Sequence, residues 1–268
     1  MSDKILQVKG LTQQFKGVLA VDHINMDLEQ GRIYGLIGTN GAGKSTVVNM
    51  ISGNLRPTDG EILFQGEHIE RLDAAHHAKA GIARTFQNLR LFGDQTVLDN
   101  AITASQISRK YNLVEMLTYL PRYRREEKQF SERAYEALRT MGIDQYAEMQ
   151  ADNLPYGLQR RLEIARCLAI QPKLLLLDEP AAGMNPQESL QLVNDIRGIH
   201  KDNPEMTILL IEHDMKVVMN LCEYIYVMAS GTIIAEGTPR QIYESEEVIS
   251  AYLGGSVRNK RKQHAKSQ

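Results

Sequence analysis

Gly38-Thr39-Asn40-Gly41-Ala42-Gly43-Lys44-Ser45-Thr46 is a complete phosphate-binding loop. An apolar run, Ile33 to Ile37, precedes it, and a helical pattern starts near Ser45. This strand–loop–helix setting is what the motif requires. The glycines let the backbone curl so that N–H groups converge on phosphate oxygens. Lys44 adds a point charge for the β- and γ-phosphates, and Ser45 offers a hydroxyl to Mg²⁺. The helix that follows turns its positive end toward the same anion.

A second stretch answers the first. Lys173-Leu174-Leu175-Leu176-Leu177-Asp178-Glu179 is an aliphatic run ending in two carboxylates. Such a run predicts a strand buried on both faces, as in a parallel sheet. Its acidic end then lies where open α/β sheets bind ligands. Asp178 suits the Mg²⁺ shell, through water, because Mg²⁺ prefers hard oxygen ligands. Glu179 is the candidate to polarise an attacking water.

Length and composition agree with a soluble nucleotide-binding protein, either one large α/β domain or one domain with a helical subdomain. The chain has 268 residues and a formal net charge of -2, so no basic field points to nucleic acid. Mean hydropathy is -0.33, and no apolar run approaches the roughly 20 residues needed to span a bilayer. The start, Met1-Ser2-Asp3-Lys4, lacks a signal-peptide pattern. The two cysteines, Cys167 and Cys222, are expected as buried thiols and not as a disulfide. The expected compartment is the cytosol.

Along the chain, Ile5 to Val8, Ala20 to Leu28 and Glu61 to Phe64 read as turn-bounded strands. From Val97 to Met149 helix formers and charge dominate, with a mixed-sign helix over Tyr123 to Arg139. Alternation then returns: strand at 174–177, helix near 187–200, strand at 207–211, helix near 215–221, strand at 224–228. That order predicts a parallel sheet. Ser230-Gly231 and Thr232 to Ala235 add a hairpin strand.

Further motifs fall between and beyond these elements. Gln87 stands in Arg84-Thr85-Phe86-Gln87-Asn88, and Asn153-Leu154-Pro155-Tyr156-Gly157-Leu158-Gln159-Arg160-Arg161 precedes the acidic strand. His213 follows the strand at 207–211, in Ile211-Glu212-His213-Asp214. With the phosphate loop and Asp178-Glu179, this order resembles the ATP-binding subunits of ABC transporters over about 4–254. The resemblance implies a P-loop NTPase core with a parallel sheet, an antiparallel β subdomain and a helical subdomain at about 97–165. It makes 1–254 one ATP-binding domain and 255–268 a tail. It implies ATP and Mg²⁺ as cofactors. Glu179, His213 and Gln87 are then catalytic, with Ser45, Gln87 and Asp178 toward the metal. Phe15 stacks on adenine. Gly38, Asn40, Gly41, Ala42, Gly43, Lys44, Ser45 and Thr46 hold phosphates. Tyr156 and Gly157 face the ATP of a partner subunit.

Within the family, Gly81 to Phe92, Thr96 to Asn100, Tyr156-Gly157, Pro180-Ala181-Ala182-Gly183-Met184-Asn185-Pro186 and Ala251-Tyr252-Leu253-Gly254 resemble the first ATPase of branched-chain amino acid importers. That implies a second ATP-binding subunit, two membrane permeases, a substrate-binding protein, and a place on the cytoplasmic face of the membrane. Urea import, lipopolysaccharide export and a soluble ABC ATPase are the alternatives, as is a module that binds nucleotide without hydrolysing it. Two positions depart from the general family pattern: Pro155 and Tyr156 stand where Ser and Gly are usual, and Asn185 where Asp is usual. Beyond Gly254, Arg258, Lys260, Arg261, Lys262 and Lys266 read as a solvated tail, with weak attraction to anionic lipid as the rival.

Overall fold

The computed structural model describes residues 4–87 and 89–253. The expectation for the basic tail lies outside them. β1 (Lys4–Phe15) and β2 (Val18–Glu29) form a long antiparallel hairpin, turned by Lys16 and Gly17 at φ of 43° and 91°. Both outrun their sequence patterns because register shifts in the ladder break the strict alternation. β3 (Ile33–Gly38) leads into the phosphate loop and α1 (Lys44–Ile51). β4 (Asp59–Phe64) and β5 (Glu67–His68) complete a four-stranded sheet in the order β2-β1-β4-β5.

α2 (Ala74–Ala80) precedes β6 (Ile82–Arg84). Four helices follow: α3 (Val97–Ser105), α4 (Leu113–Leu117), α5 (Pro121–Thr140) and α6 (Tyr156–Ala169). α3, α5 and α6 pack against one another, so the helical layer runs a few residues past 165. α7 (Pro186–Asp202) and α8 (Met215–Leu221) alternate with β7 (Leu174–Asp178), β8 (Thr207–Ile211) and β9 (Tyr224–Ala229). β10 (Thr232–Gly237), α9 (Pro239–Glu244) and α10 (Glu246–Leu253) end the described chain.

The second sheet has the order β10-β9-β3-β8-β7-β6. β6, β7, β8, β3 and β9 are parallel, and β10 returns antiparallel through Ser230 and Gly231, both at positive φ, a two-residue hairpin turn. The aliphatic strands are buried on both faces. Leu175 and Leu177 of β7 join an apolar cluster with α3, α5, α6 and α7; Leu174 and Leu176 join another with α1 and the antiparallel sheet. Truncating any of these leucines to Ala would cost about 2–5 kcal/mol. Cys167 and Cys222 are buried free thiols, as expected. Burial pushes the Cys167 thiol up to about 12. Among the described residues no helix is long and apolar enough to cross a membrane.

The parallel topology carries the C-terminal ends of β6, β7, β8, β3 and β9 to one edge. The phosphate loop leaves β3 there, Asp178 ends β7, and His213 follows β8.

Candidate nucleotide site

One cleft of about 670 Å³ gathers Asn40, Gly41, Ala42, Gly43, Lys44, Ser45 and Thr46 with Gln87, Glu179 and His213. Val18 and Leu19 of the first hairpin close one side, and Ser230 and Gly231 another. Residues from six separate segments therefore converge on one cleft.

The loop packs closely against neighbouring backbone. Gly43 has φ 101°, and a Cβ there would lie 2.6 Å from the Ala20 carbonyl oxygen. A Cβ on Gly38, at the end of β3, would lie 2.3 Å from the Met228 carbonyl oxygen. Neither position accepts a side chain without moving backbone. Lys44 is buried and its Nζ donates to the carbonyls of Gly38 at 2.8 Å and Thr39 at 3.2 Å, which holds the ammonium inside the loop's curve. Burial lowers the Lys44 pKa, and the nearby carboxylates of Glu179, Asp178 and Glu212 oppose that. Ser45 is exposed at the first turn of α1.

Glu179 follows β7 with φ 47°, a left-handed backbone unusual outside glycine. Its N–H donates to the Ile211 carbonyl at 2.9 Å, so the turn stays tied to β8. This departure from strand geometry brings the Glu179 carboxylate into the cleft. There Gln87 Nε2 donates to Glu179 Oε2 at 3.0 Å, and His213 Nδ1 stands 3.9 Å from the same oxygen.

Asp178 is placed differently. Its carboxylate is buried and accepts from Arg84 at 2.8 Å, while its N–H meets the Thr85 hydroxyl at 3.0 Å. It does not line the cleft, though it acts on Lys44 through charge. Arg84 also donates to Asn49 of α1 at 2.6 Å and to Ser52, the residue that follows that helix, at 3.0 Å. One guanidinium thus ties the phosphate-loop helix to the acidic strand.

Phe15 stands 44% exposed at the hairpin tip, paired with Val18 across the turn, beside the cleft and not among its lining residues. Tyr156 and Gly157 lie outside the cleft too, at the start of α6. The Tyr156 hydroxyl donates to the Ala182 carbonyl at 3.1 Å and accepts from Arg160 Nε at 3.0 Å. Asn185 caps α7: its Oδ1 accepts from the N–H groups of Gln187 and Glu188, and Glu188 answers in a capping box. An Asp would accept the same bonds.

The structure adds residues that the sequence reading did not assign. Arg160 and Glu163, both buried on α6, pair at 3.2 Å. Arg160 donates to the carbonyls of Phe86 at 3.0 Å and Gln87 at 2.6 Å, and Glu163 accepts from the Phe86 N–H at 2.9 Å. The start of α6 therefore grips the backbone that carries Gln87. Glu212, buried beside His213, accepts from the N–H groups of Ala181 at 3.1 Å and His213 at 3.2 Å. Burial raises its pKa. The signal available was a carboxylate at a strand end next to a histidine.

The model of the ABC transporter family matches residues 21–182, and one described as "Branched-chain amino acid ATP-binding cassette transporter" matches 232–258. The chain belongs to the ABC transporter ATP-binding family and is an ATPase of that class. It is 46% identical over 257 residues to the high-affinity branched-chain amino acid transport ATP-binding protein LivG of Escherichia coli, covering 95% of this chain and 99% of the relative. It is 43% identical to BraF of Pseudomonas aeruginosa, with the same coverage, and 33% identical to the lipopolysaccharide export ATP-binding protein LptB of Haemophilus influenzae, covering 93% and 97%. A crystal structure of the ADP conformation of an ATP-binding cassette of an ABC transporter superposes with a TM-score of 0.80 at 29% identity, over 94% of this chain and 99% of that one.

Proposed function

We propose that this chain is the first of two ATPase subunits that energise an importer of leucine, isoleucine and valine. The observation that carries the substrate class is the branched-chain match at 232–258, supported by LivG and BraF at full length. The substrate is met by other subunits, so nothing in the cleft reads it.

ATP enters with Phe15 against adenine and its phosphates in the curve of Gly38 to Thr46. Among the described residues no three carboxylate, His or Cys side chains form a metal cluster. The donors present, the Ser45 hydroxyl, the Gln87 amide and Asp178 through water, suit an ion that shares its shell with phosphate and water. When bound, Mg²⁺ neutralises charge between the phosphates. Lys44 adds fixed positive charge. Glu179 orients and polarises the water, and His213 reaches the γ-phosphate. Tyr156 and Gly157 are presented to the nucleotide of the second ATPase subunit in a head-to-tail pair. Two permeases and a substrate-binding protein complete the assembly, with this chain on the cytoplasmic face. An apolar groove of about 430 Å³ between Arg84, Phe86, Arg90 and Phe92 and the helices at Ala104 and Arg166 supports docking of a permease loop beside Gln87.

Deleting the gene should abolish high-affinity uptake of labelled leucine, isoleucine and valine, and the wild-type gene should restore it where Glu179→Gln does not. Uptake unaffected by the deletion would sink the substrate assignment.

A further inference from the structure

Five of the fifteen exposed large apolar side chains among the described residues fall within eight positions around α4. Leu113, Val114, Leu117 and Tyr119 are each 65–68% exposed, and Leu120 is 44% exposed. So concentrated an apolar surface on a protein of this class marks an interaction site. It is not slack. Asn112 and Glu115 form a capping box at the start of α4. The Tyr123 ring of α5 holds Tyr111 and Tyr119 edge-on at 5.0 and 5.6 Å, and Arg122 pairs with Glu115 at 3.5 Å. The apolar knob is therefore preformed.

Its rim is basic. Between 109 and 128 the chain has six Lys or Arg and three Glu, although the whole molecule carries net negative charge. Next to the knob, Lys110, Arg122, Arg125 and Arg133 surround a cleft of about 570 Å³ with Ser108 and Gln129. Glu126, which also lines it, is committed: it accepts from the Lys110 N–H at 2.8 Å and from Arg122 at 3.2 Å.

We propose that α4 and this basic cleft form a docking site for an anionic phospholipid surface. Leu113, Val114 and Leu117 enter the headgroup–acyl boundary, Tyr119 lies at the headgroup level, and the Lys and Arg side chains take lipid phosphates. Exposed apolar residues beside net positive charge are the pairing that an interfacial segment needs. Position agrees. Ala104, at the end of α3, lines the groove assigned above to a permease loop, and the short turn at Gln106–Ser108 that leads toward α4 packs near α2, whose Ala74 and Ala78 line that groove too. This last point rests on the transport reading; lipid binding itself does not.

The chain contains no tryptophan, so Leu117→Trp supplies a single reporter. With the full-length subunit, the indole emission should shift to the blue on vesicles of phosphatidylcholine mixed with phosphatidylglycerol, and much less on phosphatidylcholine alone. Leu190→Trp on α7, at a position 63% exposed in the wild type, should not shift. Leu113→Ser combined with Leu117→Ser should weaken sedimentation with anionic vesicles by roughly tenfold or more while ATPase activity stays unchanged. Arg122→Gln and Arg125→Gln should each cost roughly fivefold. A chain truncated after Gly255 should bind as the wild type does. No shift at position 117, an equal shift at 190, or binding lost on truncation but kept in the serine variant would each overturn the proposal. A serine variant that binds vesicles normally but fails to assemble with the permeases would overturn it as well, assigning the knob to a protein contact. Lipid binding without any effect of the gene on uptake would refute the transport reading alone.

Discussion

Glu179 is where backbone and chemistry meet. Its left-handed φ costs energy that the Ile211 carbonyl contact helps to hold. The return is a carboxylate aimed at Gln87 and His213. Glu179→Gln should keep ATP binding and lower turnover by roughly 100-fold or more, the range for losing general-base help. Near-normal turnover of the assembled variant would remove Glu179 from that role. Lys44, in the role proposed for it, acts by charge: Lys44→Ala should weaken Mg-ATP by about 1.5–3 kcal/mol, the scale of a charge-assisted bond. Unchanged affinity in a nucleotide titration would contradict the assignment. Glu212 makes a pH prediction. Burial raises its folded pKa above the ordinary 4.5. Its contribution to stability is therefore full below the unfolded pKa and is lost as pH rises through the folded one. Glu212→Gln cannot ionise, so denaturation midpoints should move in the variant's favour as pH climbs from acid toward neutral. Parallel curves would show that Glu212 does not titrate between the two states.

At the scale of elements, α6 and the segment after β6 act as one body. Arg160 holds the successive carbonyls of Phe86 and Gln87, and Glu163 holds the Phe86 N–H just before them. A rotation of α6 must then carry Gln87 with it. Arg160→Lys keeps the charge but loses the planar fork that reaches both carbonyls. It should cost about 1–3 kcal/mol of stability and lower the turnover number with little change in nucleotide affinity. Turnover at the wild-type level would show that the grip is packing alone. Arg160→Ala should cost more, about 3–5 kcal/mol, by leaving Glu163 buried and unpaired. The contrast explains what the sequence made legible. The phosphate loop, the four leucines of β7 and the strands at 207–211 and 224–228 announce themselves by local pattern. The Arg84–Asp178 pair spans 94 residues, and Arg160 reaches Gln87 across 73. No periodicity encodes such contacts, because topology alone brings the partners together. The α4 knob was equally hidden: its apolar residues read as ordinary helix formers until their exposure is known.

At the scale of the whole molecule, the question is how two sites share one assembly. This chain's own cleft supplies the phosphate loop, Glu179 and His213. In the proposed head-to-tail pair, its α6 serves the partner's ATP. Pro155 precedes α6 as N-cap and has neither hydroxyl nor N–H to give. Tyr156 does not replace it, since its hydroxyl is engaged by Ala182 and Arg160 within the chain. What remains for the partner's nucleotide is the uncapped first turn of α6, its backbone N–H groups and its dipole. The partner's site should therefore be held more weakly than this one. Pro155→Ser returns a hydroxyl at a position where Ser is a favoured cap, so the fold should tolerate it. In the assembled transporter the substitution should preserve or raise the ATPase rate, and its effect should appear on nucleotide trapped in the partner subunit, not in this one. Trapping with labelled nucleotide, followed by separation of the two ATPases, reads that difference directly. Equal occupancy and equal hydrolysis at both sites, unchanged by Pro155→Ser, would mean that the helix end alone suffices and that the two sites are equivalent.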